Sequence, residues 1–319
     1  MLIDMRPKTG LARLVSSGLV AVLAAVLLSP SADSKSQTPP AQIAAQDPAL
    51  IKLVEALKQQ DVHLDPNSGA LWIPVRIEVR DELLEYLLVG PAGAVHESMF
   101  STAVPASVIN TALLSLGLHS GTNASWHPRD PRPTEDEMRQ GIAPYEVTLP
   151  EGDGLELYVA WRQKEELFCF RVDDLLRNLL TGASMQRHKW VYLGSRMLPP
   201  DPRRKDKDSP VKGASSTLAL ESFAADVYQN LINVAYFSEG YTLLTAALPE
   251  CVEQTIWLPN AWLIPQRGTQ VALFFSRGKL ESIPPALAAD LPQVDPAARD
   301  TRRSAVPSES KPAPAKEER

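Results

Sequence analysis

Leu71-Trp72-Ile73-Pro74-Val75-Arg76-Ile77-Glu78-Val79-Arg80 is the stretch from which the fold is read. Leu71, Ile73, Val75, Ile77 and Val79 alternate with Trp72, Pro74, Arg76, Glu78 and Arg80, and five matches at period two make a half-buried strand. Pro74 lacks a backbone donor, which places this strand at a sheet edge or a bulge. Asp65-Pro66-Asn67-Ser68-Gly69 just before it is a turn.

Moving outward, Leu83 to Val89 reads as a second strand, Gly90-Pro91-Ala92-Gly93 as a turn and Ala94 to Ser101 as a third strand, spaced like an antiparallel hairpin. Further strands are expected at 155–162, 167–172, 190–194, 255–258 and 271–276, with a hairpin over 223–236 turned at Gln229-Asn230. Asp47 and Pro48 open an amphipathic helix over 48–60, in which Leu50, Leu53, Val54 and Leu57 share one face. Pro105 opens a second helix ended by Gly117, and a third is expected from Asp173 to Gly182. Local hairpins and short connections favour an antiparallel sheet over a parallel one, which needs long crossovers. The fold class is therefore α+β, a mainly antiparallel β-sheet with a few covering helices, in a single domain over 48–283.

Proline marks what lies outside that body. Of 28 prolines, 21 fall in 1–48, 128–150, 199–210 and 284–319. Since proline is excluded from central strands and helix interiors, these are loops and tails. Polar insertions are expected at about 119–150 and 199–217, a linker at 35–47 and a disordered tail over 284–319. At the start, Arg6, Lys8 and Arg13 precede the apolar run Gly18 to Leu28 and the small residues of Ser29-Pro30-Ser31-Ala32-Asp33-Ser34, the order of a secretory signal peptide over 1–34. The run is shorter than the roughly 20 residues a helix needs to span a bilayer. The expected location is periplasmic or extracellular, with membrane contact only if the segment stays uncleaved. A net charge of −6 gives no basic surplus for phosphate, so nucleic acid is excluded as a partner.

Reactive groups are sparse. His96-Glu97 begins like the HExxH zinc signature, but position 100 is Phe and the second histidine is missing. On a strand, His96 and Ser98 would share one face and Glu97 the other. With the glycine turn beside them, His96, Glu97 and Ser98 form the candidate binding cluster. No nucleophile elbow, P-loop or dinucleotide fingerprint occurs, and Asp173-Asp174 reads as a helix cap. Cys169 and Cys251 are either a disulfide or two free thiols; two cysteines hold no four-thiolate cluster. No cofactor is implied.

Leu84-Glu85-Tyr86-Leu87-Leu88-Val89-Gly90-Pro91-Ala92-Gly93 with His96-Glu97-Ser98, followed by Pro105 to Leu118, resembles the YdjY-like family of exported bacterial proteins. Phe223-Ala224-Ala225-Asp226-Val227 and Leu258-Pro259-Asn260 are similar to its later blocks. The resemblance spans roughly 50–120, 150–198 and 218–277 and names a domain of no established activity. It adds Asn110, which stands where many relatives carry His, and Asp226 to the candidate binding residues. The leading expectation is a non-enzymatic binding or assembly module of the cell envelope, its partner an envelope protein or a small ligand. Two others stand beside it: a metal-assisted or hydrolytic enzyme centred on His96 and Glu97, and a redox accessory protein using Cys169 and Cys251.

Overall fold

A computed structural model describes residues 47–199 and 221–295. The chain divides into two units, and all of these residues belong to the unit Pro39–Arg319. The expected signal peptide, most of the expected linker, nearly all of the expected second insertion and the residues beyond 295 lie outside the described residues. The strands are β1 His63–Asp65, β2 Ala70–Ile77, β3 Tyr86–Val89, β4 Ser98–Ser101, β5 Ser125–Pro128, β6 Tyr145–Thr148, β7 Gly154–Gln163 and β8 Glu166–Arg171. There follow β9 Leu176–Asn178, β10 Trp190–Tyr192, β11 Met197–Leu198, β12 Ser222–Phe223, β13 Asn230–Asn233, β14 Leu244–Thr245, β15 Trp257–Pro259 and β16 Gln270–Ser276. The helices are α1 Pro48–Lys58, α2 Ala106–Ser115, α3 Glu135–Arg139, α4 Ala224–Tyr228 and α5 Pro285–Ala288.

The fold is α+β and mostly β, and its main sheet closes on itself, a barrel that alternation alone did not foretell. The strands run β2-β16-β7-β10-β14-β13-β3-β4, and β4 returns to β2 through Arg76 opposite Ser101 and Ile77 opposite Phe100. Pro74 sits where β2 changes partner along one edge: β1 pairs with 70–72, β4 with 76–77, and the missing N–H falls between. Leu71, Ile73, Val75 and Ile77 point into the main core with Val271, Leu273, Phe275, Leu157 and Val159. The opposite face is also covered. Trp72, Tyr158 and Phe274 pack under Leu287 and Leu291, and the Trp72 indole donates to the Leu287 carbonyl at 3.1 Å. The supposed tail therefore begins inside the body: α5 and the segment to 295 dock on the barrel, with Arg162 N donating to Pro292 O and Val294 N to Arg162 O.

Four expectations are corrected locally. β3 and β4 are parallel, with Tyr86 opposite Ser98 and Leu88 opposite Phe100. An eight-residue connection suffices for a parallel return because each strand is only four residues long. The expected hairpin over 223–236 is α4 followed by β13, which runs parallel to β14. The expected helix from Asp173 is a 3-10 turn, Val172–Leu175, leading into β9, which pairs with β15. The first insertion holds its own two-stranded ladder, β5–β6, and the short α3, which carries the Thr134–Glu137 capping box. By contrast α1 and α2 form where expected. The Asp47 side chain accepts from Ala49 N at 2.8 Å, and Gly117 follows α2 at φ +76. α2 buries Ala106, Ile109, Ala112 and Leu113 in the main core. Among the described residues no helix is long and apolar enough to cross a membrane.

Candidate functional site

The glycine turn is held shut by α4 and the start of β13. Gln229, in the left-handed conformation at φ 57, accepts from Gly90 N through its carbonyl at 2.6 Å and from Ala92 N through Oε1 at 2.8 Å. Asn230 Oδ1 accepts from Ala94 N at 3.0 Å. The donors expected to meet a ligand are thus engaged within the protein. A Cβ at Gly93 would overlap the Gln229 carbonyl oxygen, so the close approach requires glycine.

His96 and Glu97 lie in a 3-10 turn, Val95–Glu97, so strand alternation does not apply to them. The His96 side chain is 78% exposed, with Nε2 at 3.2 Å from Glu97 Oε1. Ser98 begins β4 fully buried, and its hydroxyl donates to Phe100 O at 2.8 Å. Asn110 accepts from the Tyr192 hydroxyl at 2.5 Å. Asp226 Oδ1 accepts from Ser107 N at 3.0 Å and so caps α2 beside a cavity of about 350 Å³ between that helix and the glycine turn. Asn110, Asp226 and His96 each engage a different partner, Tyr192, Ser107 and Glu97, and the five candidates do not form one cluster. Among the described residues no group of three His, Cys, Asp or Glu side chains is placed to hold a metal.

Cys169 is exposed on β8, Cys251 is buried, and both are free thiols, so the disulfide alternative is corrected. Their surroundings push the Cys169 thiol up to about 11 and that of Cys251 higher still, away from the reactive thiolate.

A better-formed site adjoins Glu97. Glu85 N donates to Glu97 O at 3.0 Å, and their carboxyls share a hydrogen bond. Partial burial, and then the charge and hydrogen bond of Glu97, push the Glu85 carboxyl up to about 7. The next residue, Tyr86, stacks on Phe237 with ring centres 4.9 Å apart. A second pair, Tyr228 on Tyr241 at 4.5 Å, has the Arg196 guanidinium over the Tyr241 ring. Between these pairs lies a pocket of about 230 Å³ formed by β3, β13 and the connection from β13 to β14. Asn233 and Thr242 line it, only 1% and 4% exposed, and among the described residues neither Asn233 Oδ1 nor Thr242 Oγ1 has a partner. Such buried atoms are rare because each forgoes a hydrogen bond that water would supply. Glu239 also lines the pocket, and burial together with the charges of Glu85, Glu97 and Glu239 pushes the Tyr86 hydroxyl away from ionisation.

This pocket escaped the sequence reading because its walls come from 86 and from 228–242, segments far apart in the chain that the pairing of β3 with β13 brings together. The one available signal was the density of aromatic and amide residues in Tyr228-Gln229-Asn230 and Tyr236-Phe237 to Tyr241. A second missed group is structural. Arg171 bonds Glu156 at 2.6 Å and the fully buried Asp173 at 3.0 Å, and His188 Nδ1 lies 3.0 Å from Asp173. Burial works against a charge on Asp173, but the hydrogen bonds and charges of His188 and Arg171 outweigh it and hold the carboxyl below its ordinary range. His188 Nε2 is buried without a polar partner among the described residues.

The chain matches no family model, and neither a curated protein nor a solved structure matches it.

Proposed function

We propose that the protein is a non-enzymatic binding module of the cell envelope, exported by its N-terminal signal, and that the pocket between Tyr86–Phe237 and Tyr228–Tyr241 is its ligand site. The carrying observation is that Asn233 and Thr242, two residues lining an aromatic pocket, each hold a buried side-chain oxygen, Oδ1 and Oγ1, with no partner among the described residues. A fold retains such atoms at a stability cost of about 1–3 kcal/mol each unless something else satisfies them, and a bound ligand does so. Two aromatic stacks supply flat apolar contact, and the polar atoms supply orientation, the usual division of labour in a small-molecule site. The non-enzymatic reading is supported by the lack of any nucleophile–base pair at His96: Ser98 is buried and committed to Phe100, and His96 pairs only with Glu97. The resemblance of 84–98 and 105–118 to the YdjY-like exported proteins belongs to the same proposal.

The test is retention from a native envelope extract by the immobilised chain, compared with Thr242→Val. This change keeps shape and removes only an unpartnered hydroxyl, so the variant melts at or above the wild-type temperature. Loss of the retained molecule supports the site. Retention unchanged by both Thr242→Val and Tyr86→Ala would overturn it.

A further inference from the structure

The chemistry of the pocket specifies its ligand further. Of its eight lining residues none is basic, whereas Glu239 is acidic and the Glu85–Glu97 pair stands beside Tyr86. The negative faces of Tyr86 and Phe237 attract a cation, as the Arg196 guanidinium over Tyr241 illustrates within the same wall. Asn233 Oδ1 only accepts hydrogen bonds, and Thr242 Oγ1 is free to do so, so the bound group must donate. A quaternary ammonium has no N–H to give. Volume narrows the choice again, since about 230 Å³ is below the roughly 300–1,000 Å³ of pockets that enclose whole drug-sized ligands. It suits one short alkyl chain with its polar end.

Resting on the pocket being the ligand site, we propose that it binds a primary alkylammonium group, whose N–H donors reach Asn233 Oδ1 and Thr242 Oγ1 while Glu239 balances its charge and the Tyr86–Phe237 stack covers its alkyl stem. The chemistry is that of a free short-chain amine or of a lysine side chain on a peptide.

Calorimetric titration of the full chain, with amide shifts of Asn233 and Thr242 followed by NMR, tests this with n-butylammonium, Nα-acetyl-lysine amide, tetramethylammonium, n-butanol and methyl glucoside. The two primary amines bind and move both amides, and the other three bind at least about tenfold more weakly. Tighter binding of the lysine amide than of butylammonium identifies a peptide-borne source; the reverse identifies a free amine. Glu239→Gln, an exposed change that leaves the fold intact, weakens the amines by roughly tenfold. Equal binding of butanol and butylammonium, or amine binding unaffected by Glu239→Gln, overturns the proposal. If methyl glucoside moves the two amides and the amines do not, the amine is wrong while the pocket stands. If no probe moves them and Thr242→Val still retains the envelope molecule, the pocket reading itself fails.

Discussion

Glu85 and Glu97 hold each other twice, through a backbone hydrogen bond of 3.0 Å and through their carboxyls. Two carboxyls that share a hydrogen bond do not both ionise readily, and His96 beside Glu97 only partly offsets this. Partial burial first, and then the charge and hydrogen bond of Glu97, push the Glu85 carboxyl up to about 7 in the folded chain from an ordinary value of 4.5. Between those values the folded state binds a proton that the unfolded chain has released. Stability therefore falls as pH rises through this window. Thermal melting followed from about pH 4.5 to about pH 7.5 shows a declining midpoint, and Glu85→Gln flattens that decline. An unchanged slope in the variant would assign the pH dependence to other groups.

Asp173 has the opposite sign. Its carboxyl is held below the ordinary range, so its contribution is complete above about pH 4 and is lost on acidification. At neutral pH, Asp173→Asn leaves Glu156 as the remaining carboxylate on Arg171 and removes the anionic partner of His188, in a largely buried setting. Removal of one member of a buried ion pair costs about 3–5 kcal/mol, which denaturant unfolding reads directly. A loss under about 1 kcal/mol would mean that the network contributes nothing beyond a surface pair.

The different legibility of these groups has a physical cause. Alternation in 71–79 was readable because Leu71, Ile73, Val75 and Ile77 all face one core, and the capping of α1 by Asp47 was readable because it is local. The direction of β3 against β4 was not, since a short connection between short strands serves a hairpin or a parallel return equally well. Asp173 looked like a cap because its partner His188 lies 15 residues away, and Arg171, its other partner, is itself held by Glu156 from a neighbouring strand. The ligand pocket is assembled across the β3–β13 pairing, and no local pattern records which strands pair around a barrel.

Trp72 tests the correction at the C-terminal end. Alternation sets it on the face of β2 opposite Leu71 and Ile73, and α5 and Leu291 bury it there to 3% exposure. Trp72→Ala should cost about 3–5 kcal/mol, the range for a large aromatic in a packed core. Ending the chain at 283 removes Leu287 and Leu291 and exposes Trp72, Tyr158 and Phe274 together. The truncation should raise tryptophan solvent exposure in fluorescence, and both changes should lower the melting temperature. A truncated chain that melts like the full one would return 284–295 to the tail.

The last contrast lies within the segment first singled out for binding. His96 is exposed and pairs only with Glu97, so His96→Ala should change stability by less than about 0.5 kcal/mol. Gly93→Ala sets a methyl against the Gln229 carbonyl, which itself accepts from Gly90 N. Backbone on both sides limits relaxation, so the clash should cost about 1–3 kcal/mol. Moving Gln229 also disturbs Tyr228, one wall of the pocket, through the adjoining peptide. Gly93→Ala should therefore weaken ligand retention along with stability, while His96→Ala leaves both intact. Unfolding curves and envelope retention on the two variants separate the roles: if His96→Ala abolishes retention at wild-type stability, the site lies at His96 and Glu97 and the pocket assignment is wrong.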